Sequence, residues 1–188
     1  MEVDYQLLKQ RLDSTIRELS SGRKTPDRAR KLELRHVLNL ESEVSNGEFS
    51  FRIDAAKDAG GTGAHGRPMD YVLGGLLSCQ HMWCLRWAAL NGKSFEDLQI
   101  GAVGRFTWRG EYLEEVDAGL VAVDVSYRIR AKDLDRADLI DLADTVARRC
   151  PVFATLRKAV SLNEEIFLNG SLISSRVWKP GAAVAASL

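Results

Sequence analysis

The sequence predicts an α+β fold with an antiparallel sheet, and three observations carry that prediction. A long apolar run, Tyr71 to Leu90, has Ser78, Gln80, His81 and Arg86 as its clearly polar side chains. Segments with the period-2 alternation of strands lie before and after it, two by two. That order is not the strand–helix–strand alternation of a doubly wound parallel sheet.

Composition narrows the classes. The chain has 188 residues, enough for one domain with a sizeable core and an extension. Lys plus Arg equals Asp plus Glu at 26 each, so no overall field draws the protein to nucleic acid or to a membrane surface. The first residues, MEVDYQLLKQ, lack an apolar signal core. Three cysteines do not form a secreted disulfide framework, so a reducing cytoplasm is expected, where a disulfide is transient and catalytic. The expected organisation is an amphipathic helix with a linker over 1–31, a domain over 32–175 and a tail over 176–188.

Val3, Leu7, Leu8, Leu12, Ile16 and Leu19 form one helical stripe, which Ser20-Ser21-Gly22 ends. Leu32 to Leu40 alternates as a half-buried strand. Ser45-Asn46-Gly47 is a hairpin turn, because Asn and Gly tolerate positive φ, and Glu48 to Asp54 returns as a second strand. Ala55 to Gly66 is a Gly-rich loop without the spacing or the Lys of a phosphate loop. Pro68 opens the central helix where its missing N–H costs nothing, and Asn91-Gly92 closes it. The run is long enough to span a bilayer, but Gln80, His81 and Arg86 argue for a helix wrapped in protein. Leu98 to Trp108 and Leu120 to Ile129 read as strands flanking a charged turn region, Arg109 to Asp117. Asp133 or Asp135 caps the next helix, Pro151 stops it and opens another, and Glu165 to Ile173 is the last strand.

Chemistry rests with the thiols. Cys79 has Met82, Trp83 and Arg86 on its helical face, a mostly apolar surround. Cys84 lies about 140° round the same helix and cannot bridge to Cys79 without unwinding it. Cys150 precedes Pro151 at a helix start, where backbone N–H groups favour a thiolate, so on electrostatics Cys150 is expected to be the more acidic. A zinc site of Cys79, His81, Cys84 and Cys150 fits no usual ligand spacing.

The runs GRPMDYVLGGLLSC, NGKSFEDLQIGAVGRF and RRCPVFATLRKAV resemble the OsmC/Ohr family, the osmotically inducible and organic-hydroperoxide-resistance proteins, from about Leu32 to Ile173. The specific features are a Pro eleven residues before a Cys on a long helix, here Pro68 and Cys79, and a later Cys-Pro-Val, here Cys150-Pro151-Val152. The resemblance implies antiparallel sheets wrapped around long buried helices in an intertwined homodimer, with active sites between subunits. It implies thiol-dependent reduction of small organic hydroperoxides without a metal or organic cofactor. Cys79 is then the peroxidatic thiol and Cys150 the resolving thiol, re-reduced by an external dithiol. In the peroxidase branches a Glu follows the Pro and pairs with an activating Arg. This chain has Met69 there, in a PMD version resembling a less characterised branch, with Asp70 the nearest carboxylate and Arg52 the candidate Arg, Arg67 the second choice. Met69, Met82 and Trp83 are the candidate substrate contacts. The alternative is a dimer of the same fold that binds a hydrophobic small molecule or partner without turnover.

Overall fold

The computed structural model describes residues 2–158, 162–168 and 171–178. Mixed helix and small antiparallel sheets, as expected, make up the chain. Helix α1 covers Tyr5–Ser20, where Asp4 accepts from the Leu7 N–H at 2.8 Å. Strands β1 (Glu33–Leu38), β2 (Glu41–Ser45) and β3 (Ser50–Ile53) form an antiparallel meander. The single strand expected over Leu32–Leu40 is thus shortened and an unforeseen strand follows it. The chain reverses at Asn39, whose φ of 51° a short Asn side chain tolerates. The Asn46-Gly47 turn forms as expected, with Asn46 Oδ1 accepting from the N–H groups of Glu48 and Phe49.

Helix α2, Pro68–Asn91, is the axis of the molecule. Pro68 occupies its first turn and Gly92 ends it in the left-handed conformation at φ 65°. Packed against it are α1, β4 (Asp97–Arg105), α4 (Arg136–Arg149) and α5 (Pro151–Lys158). Strand β5, Ala122–Arg130, pairs antiparallel with β4 from Asp97↔Arg130 to Arg105↔Ala122. Between them the expected charged turn contains a helix, α3 (Trp108–Leu113), whose first turn Thr107 caps through the Arg109 N–H. Asp135 caps α4 by accepting from Asp138 N–H. The last strand expected over Glu165–Ile173 is two strands, β6 (Leu162–Leu168) and β7 (Ser171–Trp178), paired antiparallel; residues 169–170 between them lie outside the described residues. So does the tail expected from Lys179 to Leu188.

The core lies between α2, α4 and the inner face of β4–β5. Cys79, Cys84, Trp87, Ala88, Phe95, Leu98, Leu142, Val146 and Cys150 form one buried cluster, with Tyr127 and Ile129 packed on it. Burial of side chains such as Leu142 and Val146 contributes about 1.5–3 kcal/mol each. Tyr5 ties the leader helix to this core, its hydroxyl accepting from Phe95 N–H at 3.1 Å. Trp87 Nε1 donates to Asp141 at 2.7 Å and fastens α4 to α2.

One expectation about burial needs correction. The leucines of β1 were expected to be half covered, yet Leu34 and Leu38 are exposed. Helix α2 is covered by α1, β4, α4 and α5, and Tyr71, Val72 and Met82 remain exposed on it. No helix among the described residues is long and apolar enough to cross a membrane.

The Gly-rich loop is anchored by Asp54, which is 1% exposed. Its carboxylate accepts from the Thr62 hydroxyl at 2.6 Å and from the N–H groups of Ala55, Thr62 and Ala64. A Cβ at Gly61 would sit 2.1 Å from Ala55 O, so the loop passes too closely there for any other residue. These hydrogen bonds, led by the Thr62 hydroxyl, hold the Asp54 carboxyl at about 2, below its usual 3.8. The folded chain therefore keeps the carboxylate charged while the unfolded chain takes up a proton, so the stabilisation is present above about pH 4 and is lost as pH falls towards 2. Urea denaturation from pH 6 down to pH 2 should show this loss in the wild type, and Asp54→Asn should start less stable and lose that portion of the pH dependence.

Candidate active site

Helix α2 and the α4–α5 junction bring the two cysteines of the motif together. Cys79 sits mid-helix on the buried side of α2. Cys150 ends α4, its N–H donating to Val146 O, and precedes Pro151, the first residue of α5. Pro151 lacks the N–H and the αR-compatible predecessor that would let α4 continue, so the chain turns at Cys150 and aims its side chain at α2. The Cys150 S–H donates to Cys79 Sγ at 2.9 Å, with both thiols free. That spacing needs a small approach to reach the roughly 2.05 Å of a disulfide.

The lowered pKa expected for Cys150 is not found. Phe153 N–H does donate to its sulfur at 3.4 Å, as a helix start provides. Burial outweighs this: Cys150 is fully buried, and desolvation followed by the hydrogen bond to Cys79 pushes its thiol up. Cys150 therefore stands as a thiol facing the Cys79 sulfur. Cys84 is also fully buried, in the same cluster, and desolvation pushes it up to about 12. No group of three or more His, Cys, Asp and Glu among the described residues is arranged to hold a metal ion.

An apolar cavity of about 320 Å³ opens between α2, β5 and α5, lined by Leu76, Val123, Val125, Phe153, Leu156 and Arg157 among others. Leu76 lies one turn before Cys79 and Phe153 one turn after Cys150, so two walls of the cavity share helix faces with the thiols. Those i±3 spacings were available in the sequence, but nothing in it singled out the β5 residues opposite.

The other expected site residues scatter. Trp83 packs against the thiol cluster and lies between two guanidinium groups, Arg86 at 5.1 Å and Arg149 at 5.6 Å from its ring centre. Met69 is half-buried and does not line the cavity, and Met82 is exposed about 60° round the helix from Cys79, away from Leu76. Arg52 does not meet Asp70. Its Nη1 donates to Glu41 at 2.7 Å, its Nε lies 3.7 Å from Glu43, and His65 Nε2 lies 3.5 Å from Glu41. Tyr71 Oη donates to the Arg52 carbonyl, which fixes this strand against α2. Glu41, nearly buried, is the carboxylate that the sequence did not single out.

Asp70 accepts from the Arg67 N–H at 2.9 Å at the start of α2. Asp70→Asn should lower stability by about 0.5–1 kcal/mol and leave the rate of Cys79 oxidation unchanged. Thermal melting and stopped-flow oxidation together check this, and a tenfold rate loss at unchanged melting temperature would assign Asp70 to the chemistry instead.

The family model described as OsmC-like protein matches residues 61–165 of this chain. An OsmC-like protein from Mycoplasma pneumoniae is similar in structure, with a TM-score of 0.58 at 20% identity over 71% of this chain and 90% of that one. An organic hydroperoxide resistance protein OsmC from Legionella pneumophila matches with a TM-score of 0.52 at 16% identity, over 71% of this chain and 92% of the other. An OsmC-like protein of unknown function from Vibrio cholerae gives 0.55 at 10% identity, over 69% and 94%. At these identities the likeness is one of fold. No curated protein matches the sequence.

Proposed function

The chain belongs to the OsmC-like family, and on that premise we propose that it reduces organic hydroperoxides through a peroxidatic Cys79 and a resolving Cys150. The observation that carries this is the 2.9 Å contact between two sulfurs 71 residues apart in sequence. The Cys79 thiolate attacks the distal oxygen of the hydroperoxide. An S–O bond forms, the O–O bond breaks, and the alkoxide leaves with the electron pair and takes the proton of the Cys150 thiol. Cys79 is now a sulfenic acid. The Cys150 thiolate attacks its sulfur, an S–S bond forms, and hydroxide leaves to become water by taking a solvent proton. An external dithiol returns both cysteines to thiols by exchange.

The apolar cavity beside the thiols supports a bulky alkyl substrate, since each Å² of apolar surface removed from water is worth roughly 25 cal/mol. Trp83 packs at the thiol cluster. Met69 and Met82 are then contacts that only a second subunit could bring to the substrate. We place the active protein as a cytoplasmic homodimer. The exposed residues of α2 and the exposed leucines of β1 supply its interface. In such a dimer Arg52, held by Glu41 and Glu43, is the candidate cation for Cys79 across the interface, with its guanidinium about half exposed. One observation favours a second function, binding of a hydrophobic ligand or partner without turnover. Within one chain the Arg52 guanidinium is engaged by Glu41 and Glu43, and Met69 follows Pro68.

Cys79→Ser should abolish consumption of cumene hydroperoxide and keep the fold. Cys150→Ser should still be oxidised once, giving a sulfenic acid that dimedone labels, and then fail in repeated turnover with a dithiol. A wild type that consumes no peroxide would hand the site to the binding function.

Light scattering at micromolar concentration should give twice the 20.9 kDa chain mass. A monomer there would remove the intersubunit role of Arg52.

A further inference from the structure

Gln80 stands at the centre of the face that α2 buries. Leu76, Gln80 and Cys84 form one row four residues apart, and Cys79 lies about 100° to one side of Gln80. Gln80 is 1% exposed and Leu76 equally closed in. Cys150 touches Cys79 and belongs to the same buried cluster as Cys84. Gln80 is the residue next to Cys79 on this buried face. One turn back, Leu76 is a wall of the apolar cavity that Phe153 shares.

The Gln80 Oε1 atom has no hydrogen-bond donor among the described residues. Buried side-chain oxygens are rarely left in this state, because an acceptor stripped of water and given no donor is costly. The buried carboxylates Asp54 and Glu41 each have several partners, so the exception is specific to the residue next to Cys79. Leu76, one turn back, carries no donor, and the Cys150 S–H is already committed to Cys79.

We infer that Gln80 Oε1 receives the O–H of the oxygen that Cys79 takes from a hydroperoxide. The inference rests on the peroxidase function proposed above and names the group that positions its substrate. The distal O–H of the hydroperoxide donates to Gln80 while the Cys79 thiolate forms the S–O bond and the alkoxide leaves with the O–O electron pair and the Cys150 proton. The hydrogen on the transferred oxygen stays in place, so the sulfenic hydroxyl donates to the same acceptor. That hydrogen bond holds the S–OH oriented until Cys150 displaces it as hydroxide. An alkyl peroxide without an O–H, such as a dialkyl peroxide, has nothing to donate and is excluded.

The test compares wild type with Gln80→Leu, and with Gln80→Met, which keeps the unbranched shape. Three measurements are needed: the melting temperature, the alkylation rate of Cys79 by iodoacetamide, and its oxidation rate by cumene hydroperoxide. Iodoacetamide reads the thiolate but has no O–H. The expected result is a melting temperature equal to or above wild type, unchanged alkylation, and oxidation slowed at least tenfold in both variants. In the Cys150→Ser background, the dimedone-reactive sulfenic acid should also decay faster when Gln80 is replaced. Oxidation at the wild-type rate would overturn the assignment of Gln80 while leaving the peroxidase function standing. So would an equal fall in alkylation and oxidation, or a lowered melting temperature, each of which makes Gln80 a structural group. A wild type that is alkylated normally but not oxidised by any hydroperoxide would overturn both.

Discussion

The structure depends on one packing arrangement, the burial of a single face of α2 beneath α4 and the α4–α5 junction. That face carries Leu76, Cys79, Gln80, Cys84 and Trp87, all buried, and the facing side supplies Leu142, Val146 and Cys150. The thiol pair is a product of this contact. Neither helix alone places a second sulfur near Cys79, because Cys84 on the same helix points about 140° away. The turn imposed by Pro151 brings the second sulfur from the other side.

Electrostatics at the pair follow from the same burial. A helix start beside a cysteine favours the thiolate, and the Phe153 N–H supplies that influence here. Its effect is smaller than the cost of removing a charge from water, so Cys150 remains a thiol and faces Cys79 as a donor.

Tyr71, Val72 and Met82 of α2 and the leucines of β1 stay exposed among the described residues, although α1, β4, α4 and α5 pack on the helix. Polar devices elsewhere secure the frame around the helix. Asp54 ties down the Gly-rich loop that delivers the chain to Pro68, and Tyr71 and Trp87 fasten α2 to β3 and α4 through Arg52 O and Asp141. Tyr5 does the same for the leader helix, which lies outside the residues matched by the family model.

Signals confined to a few neighbouring residues were legible from the chain alone. Pro68 and Gly92 bounded α2, Asp135 and Pro151 bounded α4 and α5, and Asn46-Gly47 placed a hairpin, because caps and turns act through local backbone geometry. The cysteine spacing pointed to Cys79 and Cys150 for the same reason of pattern. Alternation alone misjudged β1, since Asn39 reverses a strand that the leucine pattern carries straight through, and the charged segment after β4 hid α3. Partnership was not legible. Arg52 finds Glu41 and Glu43 rather than Asp70, Met82 is exposed and does not line the apolar cavity, and Gln80 Oε1 lies buried without a donor among the described residues. What surrounds a side chain depends on elements distant in sequence, and burial sets the cost of charge and of an unpaired oxygen. The sequence determined where helices start and where turns fall, because those signals are local; only the packing of α4 and α5 on α2 decided that Cys79 and Cys150 meet and that burial raises the Cys150 thiol.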